Sequence, residues 1–396
     1  MLSYEQALQQ LLAAARPLET TEQVALEVAL GRILAAPQVS SISVPPLNNS
    51  AMDGYAVRCA DIPAAGTTLT VSQRIPAGSI GHTLAAGTAA RIFTGAPVPE
   101  GADAVVMQEL CRHSGDKVAI DHLPRSGENI RRAGEDIAAG QEVLAAGALL
   151  TPQALGLLAS IGVARVPVLR RLRVALFSTG DELVQPGEAL RPGAIYNSNR
   201  YLLRGLLEQC GCIVTDLGIV ADKLDATRAS LRDGAAKCDV ILTSGGVSVG
   251  EEDHVKAAVK AEGELDLWKI AIKPGKPLAF GRVGNAAFVG LPGNPVAAFV
   301  TFLVLVRPFL RRCQGSAERA PQAQMLPAGF DWLRGDPRRE FLRVRVENGQ
   351  LMPFRHQGSG VLASAVWSDG LAIIEPEQTV RNGDPLPYLS FTELER

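Results

Sequence analysis

The spacing of apolar residues changes repeatedly along this chain, and each change predicts a different kind of element. Up to about residue 44, alanine, leucine and glutamate recur at helical spacing, which predicts a mostly helical region. Ser3 followed by Gln6 reads as a capping box for its first helix. In "SVPPLNNSAMDGYAVR", Pro45 and Pro46 forbid any continuation, and Asn48, Asn49 and Gly54 favour turns. From about 50 to 140 the apolar runs are short and β-like. "TTLTVSQ", "AARIFTG" and "DAVVMQE" predict strands, and "PAGSIG", "PVPEGA" and "HSGDK" predict the turns between them. Thr151 and Pro152 then start a helix that runs to about Ser160, with Thr as N-cap and Pro in the first turn.

From Leu172 to about Arg312 strand and helix patterns alternate. "RVALFSTG", "CIVTDLGIV", "DVILTSGG" and "AAFVGLPG" read as buried strands. "NSNRYLLRGLLEQCG", "DATRASLRDGAAK" and "EEDHVKAAVKAEG" read as helices between them. Such alternation predicts a parallel sheet with helices on both faces. "NPVAAFVTFLVLVRPFL" is apolar all round, yet its core from Val296 to Val306 is too short to span a bilayer. It predicts a buried core helix. Beyond about 320 the pattern is β again. Asn348-Gly349, Asp369-Gly370 and Asn382-Gly383 stand as hairpin signals.

Composition narrows the class. At 396 residues the chain has room for two to four domains, and 47% hydrophobic with 20% charged is an ordinary globular mixture. A net charge of −2 and a pI of about 6.3 argue against a nucleic-acid binder. The N-terminus lacks a basic leader and carries Glu5, so no targeting segment is expected. The six cysteines form no CxxC pair and no histidine spacing completes a zinc site. A reduced, cytoplasmic protein without membrane contact fits best.

The chemistry should lie where strands of an open α/β sheet end, because ligands bind beyond their carboxyl ends. The strand-exit loops read "STGDEL", "VADKLD", "TSGGVSVGEED" and "LPGNP". Gly245 and Gly246 beside a helix start suit an anion. Glu182, Asp222 and Asp253 at three exits suit a cation. A site with both would take a phosphate-bearing molecule and a divalent metal. "LWKIAIKPGKPLAFG" places Lys269, Lys273 and Lys276 beside two prolines and a glycine, the pattern of a fixed anion clamp. No P-loop, GxSxG or HExxH is present. "GSGVLA" lies outside any βαβ unit and is no dinucleotide loop.

Taken in order, "NNSAMDGYAVR", "TGAPVPEGADAVV", "GEDI", "STGDEL", "NSN", "SGGVSVGEED", "KIAIKPGKP" and "LPGNPVA" closely resemble the molybdopterin molybdenumtransferases of the MoeA type, to which the gephyrin E domain is related. The resemblance covers nearly the whole chain and is weakest at the C-terminus, where it rests on "HQGSG". It implies a multidomain α/β plus β fold. A helical linker region would take 1–44 and 140–170, an inserted small β domain 45–139, a parallel-sheet α/β molybdopterin-binding domain 171–318, and a C-terminal β barrel 319–396. It also implies a homodimer. The implied reaction inserts molybdenum from molybdate into adenylylated molybdopterin with magnesium-dependent release of AMP. Glu182, Asp222 and Asp253 would surround Mg2+. Gly245 and Gly246 would cradle phosphate, with Ser244 and Ser248 also binding substrate, and Lys273 and Lys276 would hold anionic oxygens, with Lys269 a further catalytic residue. Pro292, Gly293, Asn294 and Pro295 would shape the pterin pocket. Asp53, Thr94 and Asp136 would complete the site from the other subunit. A molybdopterin adenylyltransferase and molybdoenzyme acceptors are the partners implied. Two other readings use the same fold. One is an adenylyltransferase acting on molybdopterin itself, against which the β domain and "NNSAMDGYAVR" stand. The other is a scaffold that binds a partner peptide, against which the retained acids and lysines stand.

Overall fold

The computed structural model describes residues 1–246, 254–317 and 321–394. The strands gather into three six-stranded sheets and several two-stranded pairs. At the N-terminus the helix Tyr4–Ala14 carries the expected Ser3–Gln6 capping box. The expectation of a mostly helical 1–44 fails beyond it. Pro17 ends any helical continuation, and the strand Thr21–Ala25 pairs antiparallel with Arg165–Leu169. Leu26 sits at helical spacing with Ala29, Ile33 and Leu34. Here Leu26, Ala29 and Leu34 reach one small core from extended and turn backbone instead, together with Val24, Leu158, Val166 and Val168. Tertiary pairing overrides the local preference. The helix Pro152–Ser160 forms as its cap predicts, with Thr151 Oγ1 accepting from the Ala154 N–H.

Between these segments lies a six-stranded β unit, ordered Ala104–Met107, Gly54–Val57, Thr88–Ile92, Thr67–Ile75, Lys117–Ile120, Cys111–Ser114. Successive residues of one strand feed opposite faces. Tyr55 and Val57 pack with Leu69, Val106 and Ile120, whereas Ala56 packs with Ile75, Ile92 and Val105.

The α/β sheet runs Ile213–Val220, Arg173–Thr179, Val240–Ser244, Ala286–Leu291, Pro277–Val283, Gly263–Lys269. The first four strands are parallel. The last two are antiparallel additions, so the sheet is mixed rather than wholly parallel. The connections explain the change of direction. Only Gly284 and Asn285 join Val283 to Ala286, and residues 270–276 are too few for a crossover helix. Two cores cover the two faces of this sheet. The larger takes in the buried helix that begins at Pro295, whose side chains from Val296 to Val306 are all inside and whose middle, Phe302–Val306, widens to a π turn. Among the described residues no helix is long and apolar enough to cross a membrane.

The C-terminal sheet orders Arg339–Glu347, Gly370–Ile374, Pro385–Ser390 and Gln324–Pro327, with Gln350–Pro353 beside the first. It curls until Ala328 bridges Leu351, around a core of Leu342, Val344, Leu386 and Tyr388. Asn348 and Gly349 both take positive φ and turn the hairpin as expected. Asp369-Gly370 does not. Gly370 opens a strand between Val344 and Ser390, where a Cβ would lie 2.3 Å from the Leu389 carbonyl oxygen. Its glycine marks close backbone approach, not a turn. Ile272–Lys273 of the α/β unit pairs in parallel with Arg339 and Glu340, joining the two units beside the site.

Candidate active site

A cavity of about 640 Å³ opens beyond the carboxyl ends of the strands that finish at Thr179, Ser244 and Leu291. Its floor is bare backbone. Gly245 and Gly246 hold φ of 89° and 64°, and a Cβ on them would lie 2.9 Å from the Thr179 carbonyl oxygen and 2.4 Å from Val255 Cγ2. Only glycine fits both the conformation and the space. Gly293, in the facing loop, packs against Gly245. Asn199 Nδ2 donates to the Gly293 carbonyl oxygen at 2.7 Å and so fixes the "PGN" wall. Asn197 caps the helix that carries Asn199 by accepting from the Arg200 N–H.

Charge arrives from several loops. Glu182 and Asp222 line the cavity from two strand exits. Lys273, Pro274, Gly275, Lys276 and Pro277 line it from the loop 270–276 and the strand beyond. Gly275 takes φ of 116°, and a Cβ there would meet Thr301 Oγ1 at 2.3 Å, so the turn that aims Lys276 depends on glycine. The two lysines differ. Lys273 Nζ lies 2.7 Å from Glu340 Oε1 and 3.1 Å from Asp336 Oδ2. Burial alone would lower its pKa, but the bonds from Glu340 and Asp336 outweigh burial and hold it above the ordinary lysine value. Glu340 is 2% exposed and also accepts from Trp332 Nε1 at 2.8 Å. Lys276 makes no ion pair among the described residues and is exposed at the cavity.

The C-terminal barrel closes the other side through Arg338, Gln357, Gly358 and Ser359. Arg338 grips Asp336 bidentately, at 2.8 and 2.9 Å. The Arg338 bonds, opposed by burial and reinforced by Lys273, hold the Asp336 carboxyl well below its usual range. Sequence reasoning missed Asp336, Arg338 and Glu340. The signal was their alternation in "GDPRRE", which puts three charges on one side of extended chain. Gln357, Gly358 and Ser359 lie in "HQGSG", where the pattern alone assigned no role.

Of the expected residues, the cavity collects Glu182, Asp222, Gly245, Gly246, Lys273, Lys276, Pro292, Gly293 and Asn294. Ser244 ends a buried strand behind it, with its hydroxyl 3.5 Å from that of Ser178. Pro295 begins the helix behind the wall. Lys269 is exposed on the strand Gly263–Lys269, opposite Pro277, and does not line the cavity. Asp253 and Ser248 lie outside the described residues. Asp53 and Thr94 meet at the surface of the β unit. One Asp53 oxygen accepts from both the N–H and the hydroxyl of Thr94 at 2.8 Å, and these bonds lower its pKa. Asp136 is exposed in a turn. None of these three lines the cavity of its own chain.

Known proteins place this architecture. Residues 2–162 match the MoeA N-terminal region (domain I and II), 175–312 a probable molybdopterin binding domain, and 326–391 the MoeA C-terminal region (domain IV). The molybdopterin molybdenumtransferase of Haemophilus influenzae is 40% identical over 402 residues, covering all of both chains. Molybdopterin molybdenumtransferase 2 of Mycobacterium tuberculosis is 38% identical over 392 residues and covers 95% of each. A crystal structure of the molybdopterin biosynthesis MoeA protein from Pyrococcus horikoshii superposes with a TM-score of 0.85 at 30% identity, covering 98% of this chain and 100% of that one. With full-length identity, matched regions in the same order and a shared architecture, the chain belongs to the molybdopterin molybdenumtransferase family, MoeA.

Proposed function

We propose that this chain is a transferase of molybdenum cofactor biosynthesis that takes adenylylated molybdopterin and molybdate, places molybdenum on the dithiolene, and releases AMP. The observation that carries this reading is one cavity. Glycine backbone, two carboxylates and cationic side chains converge there from the α/β unit and the C-terminal barrel. The Gly246 N–H suits a phosphate oxygen, while the Gly245 N–H donates to the Leu291 carbonyl oxygen at 3.2 Å and fixes the floor. Lys276 and Arg338 supply fixed positive charge for phosphate or molybdate. Lys273 anchors the "KPGK" loop to the barrel through Asp336 and Glu340 while its ammonium keeps one side to the cavity. The "PGN" wall, held by Asn199, bounds the pterin.

Magnesium fits the donor set. Glu182 and Asp222 offer oxygen ligands on one cavity, and a hard cation of this kind uses one or two carboxylates together with substrate phosphates. Asp253 is the third carboxylate of this reading. When bound, the ion would neutralise charge developing on the pyrophosphate as AMP leaves. Glu182 and Asp222 would hold it there, and Lys276 would hold the anion that remains.

The assembly proposed is a homodimer in which Asp53, Thr94 and Asp136 of one subunit reach the cavity of the other. Their absence from the cavity of their own chain supports this arrangement. A cytoplasmic location is proposed with it, supported by six cysteines of which none is in a disulfide. A molybdopterin adenylyltransferase would supply the substrate, and molybdoenzymes would accept the product.

The test supplies the purified protein with adenylylated molybdopterin, molybdate and magnesium, and follows AMP and molybdenum-bearing pterin by mass spectrometry. Both should appear together. Formation of adenylylated molybdopterin from ATP and molybdopterin, with no molybdenum transfer, would make the chain an adenylyltransferase instead. Neither activity would leave a scaffold.

A further inference from the structure

The C-terminal barrel buries a cation that no carboxylate among the described residues answers. Arg343, on the strand Arg339–Glu347, is 1% exposed and has no ion pair among the described residues. Burial pushes its pKa down to about 10, so it is still charged at neutral pH. Burying a charge without a counter-ion is costly. A methionine of similar length would fill the same barrel wall without that cost. The position therefore makes physical sense only if the hydrogen bonds of the guanidinium are needed.

One of those bonds reaches the segment 357–359, and the others tie the guanidinium to the short helix Ala363–Trp367 and to its own strand. Nη2 donates to the Gly358 carbonyl oxygen at 3.2 Å and Nε to Ser364 Oγ at 3.1 Å. A third donor, Nη1, reaches the Phe341 carbonyl oxygen at 3.4 Å. Gln357 clasps the backbone of the same arginine. Its Oε1 accepts from the Arg343 N–H at 3.0 Å, and its Nε2 donates to the Arg343 carbonyl oxygen at 2.9 Å. Residues 357–359 belong to no strand or helix, so no ladder fixes them. They are nonetheless what the barrel contributes to the cavity beside Arg338. Ser359 also accepts from the Val296 N–H at 2.9 Å, which ties the segment to the helix behind the "PGN" wall.

We propose that Arg343 is a positioning residue of the transferase site, holding residues 357–359 against the cavity so that the barrel presents a fixed polar wall to the anionic substrate. This inference rests on the cavity being the active site. Arg343 touches no substrate. Without it the segment keeps only the Gln357 clasp on the backbone and the Ser359–Val296 bond, so part of its ordering is deferred to substrate binding and that cost falls on binding rather than on the chemical step. The signature is a raised KM with kcat little changed.

The experiment measures AMP release by Arg343→Met, Arg343→Lys and Ser364→Ala, with amide hydrogen exchange on each. Arg343→Met should raise KM for adenylylated molybdopterin roughly ten-fold, as loss of charge-assisted bonds implies, with kcat within about two-fold. Arg343→Lys, which can reach one acceptor but not both, should recover part of the loss. Ser364→Ala should raise KM by a smaller factor. Exchange should quicken at 357–361 and stay unchanged in the strands Gly370–Ile374 and Pro385–Ser390. If Arg343→Met does not fold, the lysine variant and Ser364→Ala carry the test. Unchanged KM in the folded variants, or exchange raised equally throughout the barrel, would overturn the proposal. Lys276→Ala serves as the control. If it leaves AMP release unchanged, the cavity itself is misassigned. If it impairs release while the Arg343 and Ser364 variants do not, only the positioning role falls.

Discussion

At the scale of single residues, the site turns on how its charges are paired. Lys273 and Lys276 are alike in the sequence, and the pattern gave them one role as an anion clamp. Their partners separate them. Lys273 is tied to Asp336, 63 residues away, and to the buried Glu340, whereas Lys276 has no such tether. Pairings of this range leave no periodic signal, so sequence could flag the lysines but not divide their labour. Asp336 offers a direct check. Its folded pKa is depressed, chiefly by Arg338, so its contribution to stability is fully present above the ordinary aspartate value of about 3.9 and is lost as pH falls through the lower folded value. Asp336→Asn should therefore cost about 1.5–3 kcal/mol at pH 7, the range for hydrogen bonds to charged groups. The gap from the unaltered protein should narrow as the pH drops below about 4. Urea unfolding at pH 7 and pH 3 measures it, and a gap that stays the same at both would remove the ion pairs from the account.

At the scale of elements, most of what the sequence offered was local chemistry that survives folding. The Ser3 and Thr151 caps and the Asn348-Gly349 turn are set by neighbours a few residues away, and they formed as read. The failures came where distant pairing decides. Thr21–Ala25 became a strand because Arg165–Leu169 lies beside it. The mixed α/β sheet was legible in principle. Gly284-Asn285 between two apolar runs is a two-residue hairpin signal, and Gly284 takes the positive φ such a turn requires. Inside the site, the element most exposed to a single change is the "KPGK" turn. Gly275→Ala adds a Cβ where Thr301 Oγ1 would stand at 2.3 Å, on backbone that suits glycine alone. The expected cost is roughly 1–3 kcal/mol of stability. Loss of AMP release should accompany it, because Lys276 moves with the turn. Thermal melts and the AMP assay together check this, and a variant as stable and active as the unaltered chain would show that the turn tolerates a side chain.

At the scale of the whole molecule, the site is an assembly of distant parts. The chain runs from Thr179 to Ser359 before the cavity is complete, and the barrel is docked there by the pairing of Ile272–Lys273 with Arg339 and Glu340. Sequence named the α/β half of the wall because strand exits carry recognisable loops. It could not name the barrel half, because nothing local says which face of a barrel meets which strand. The β unit with Asp53 and Thr94 lies outside the cavity of its own chain, which the proposed dimer explains. Asp53→Ala and Glu182→Gln homodimers should each be nearly inactive. Co-refolded, about half the dimers are mixed and one of their two sites carries neither lesion, so roughly a quarter of all sites should recover. No recovery in confirmed mixed dimers would put Asp53 outside the shared site. The most direct test of the central claim, that this cavity performs the transfer, is single-turnover AMP release by the Glu182→Gln/Asp222→Asn double variant beside the unaltered protein. With adenylylated molybdopterin, molybdate and magnesium, the unaltered protein should release AMP in step with molybdenum insertion. The folded variant should be slower by about 100-fold or more, as loss of charge stabilisation in the transition state implies. Equal rates in the two would contradict the assignment of the cavity.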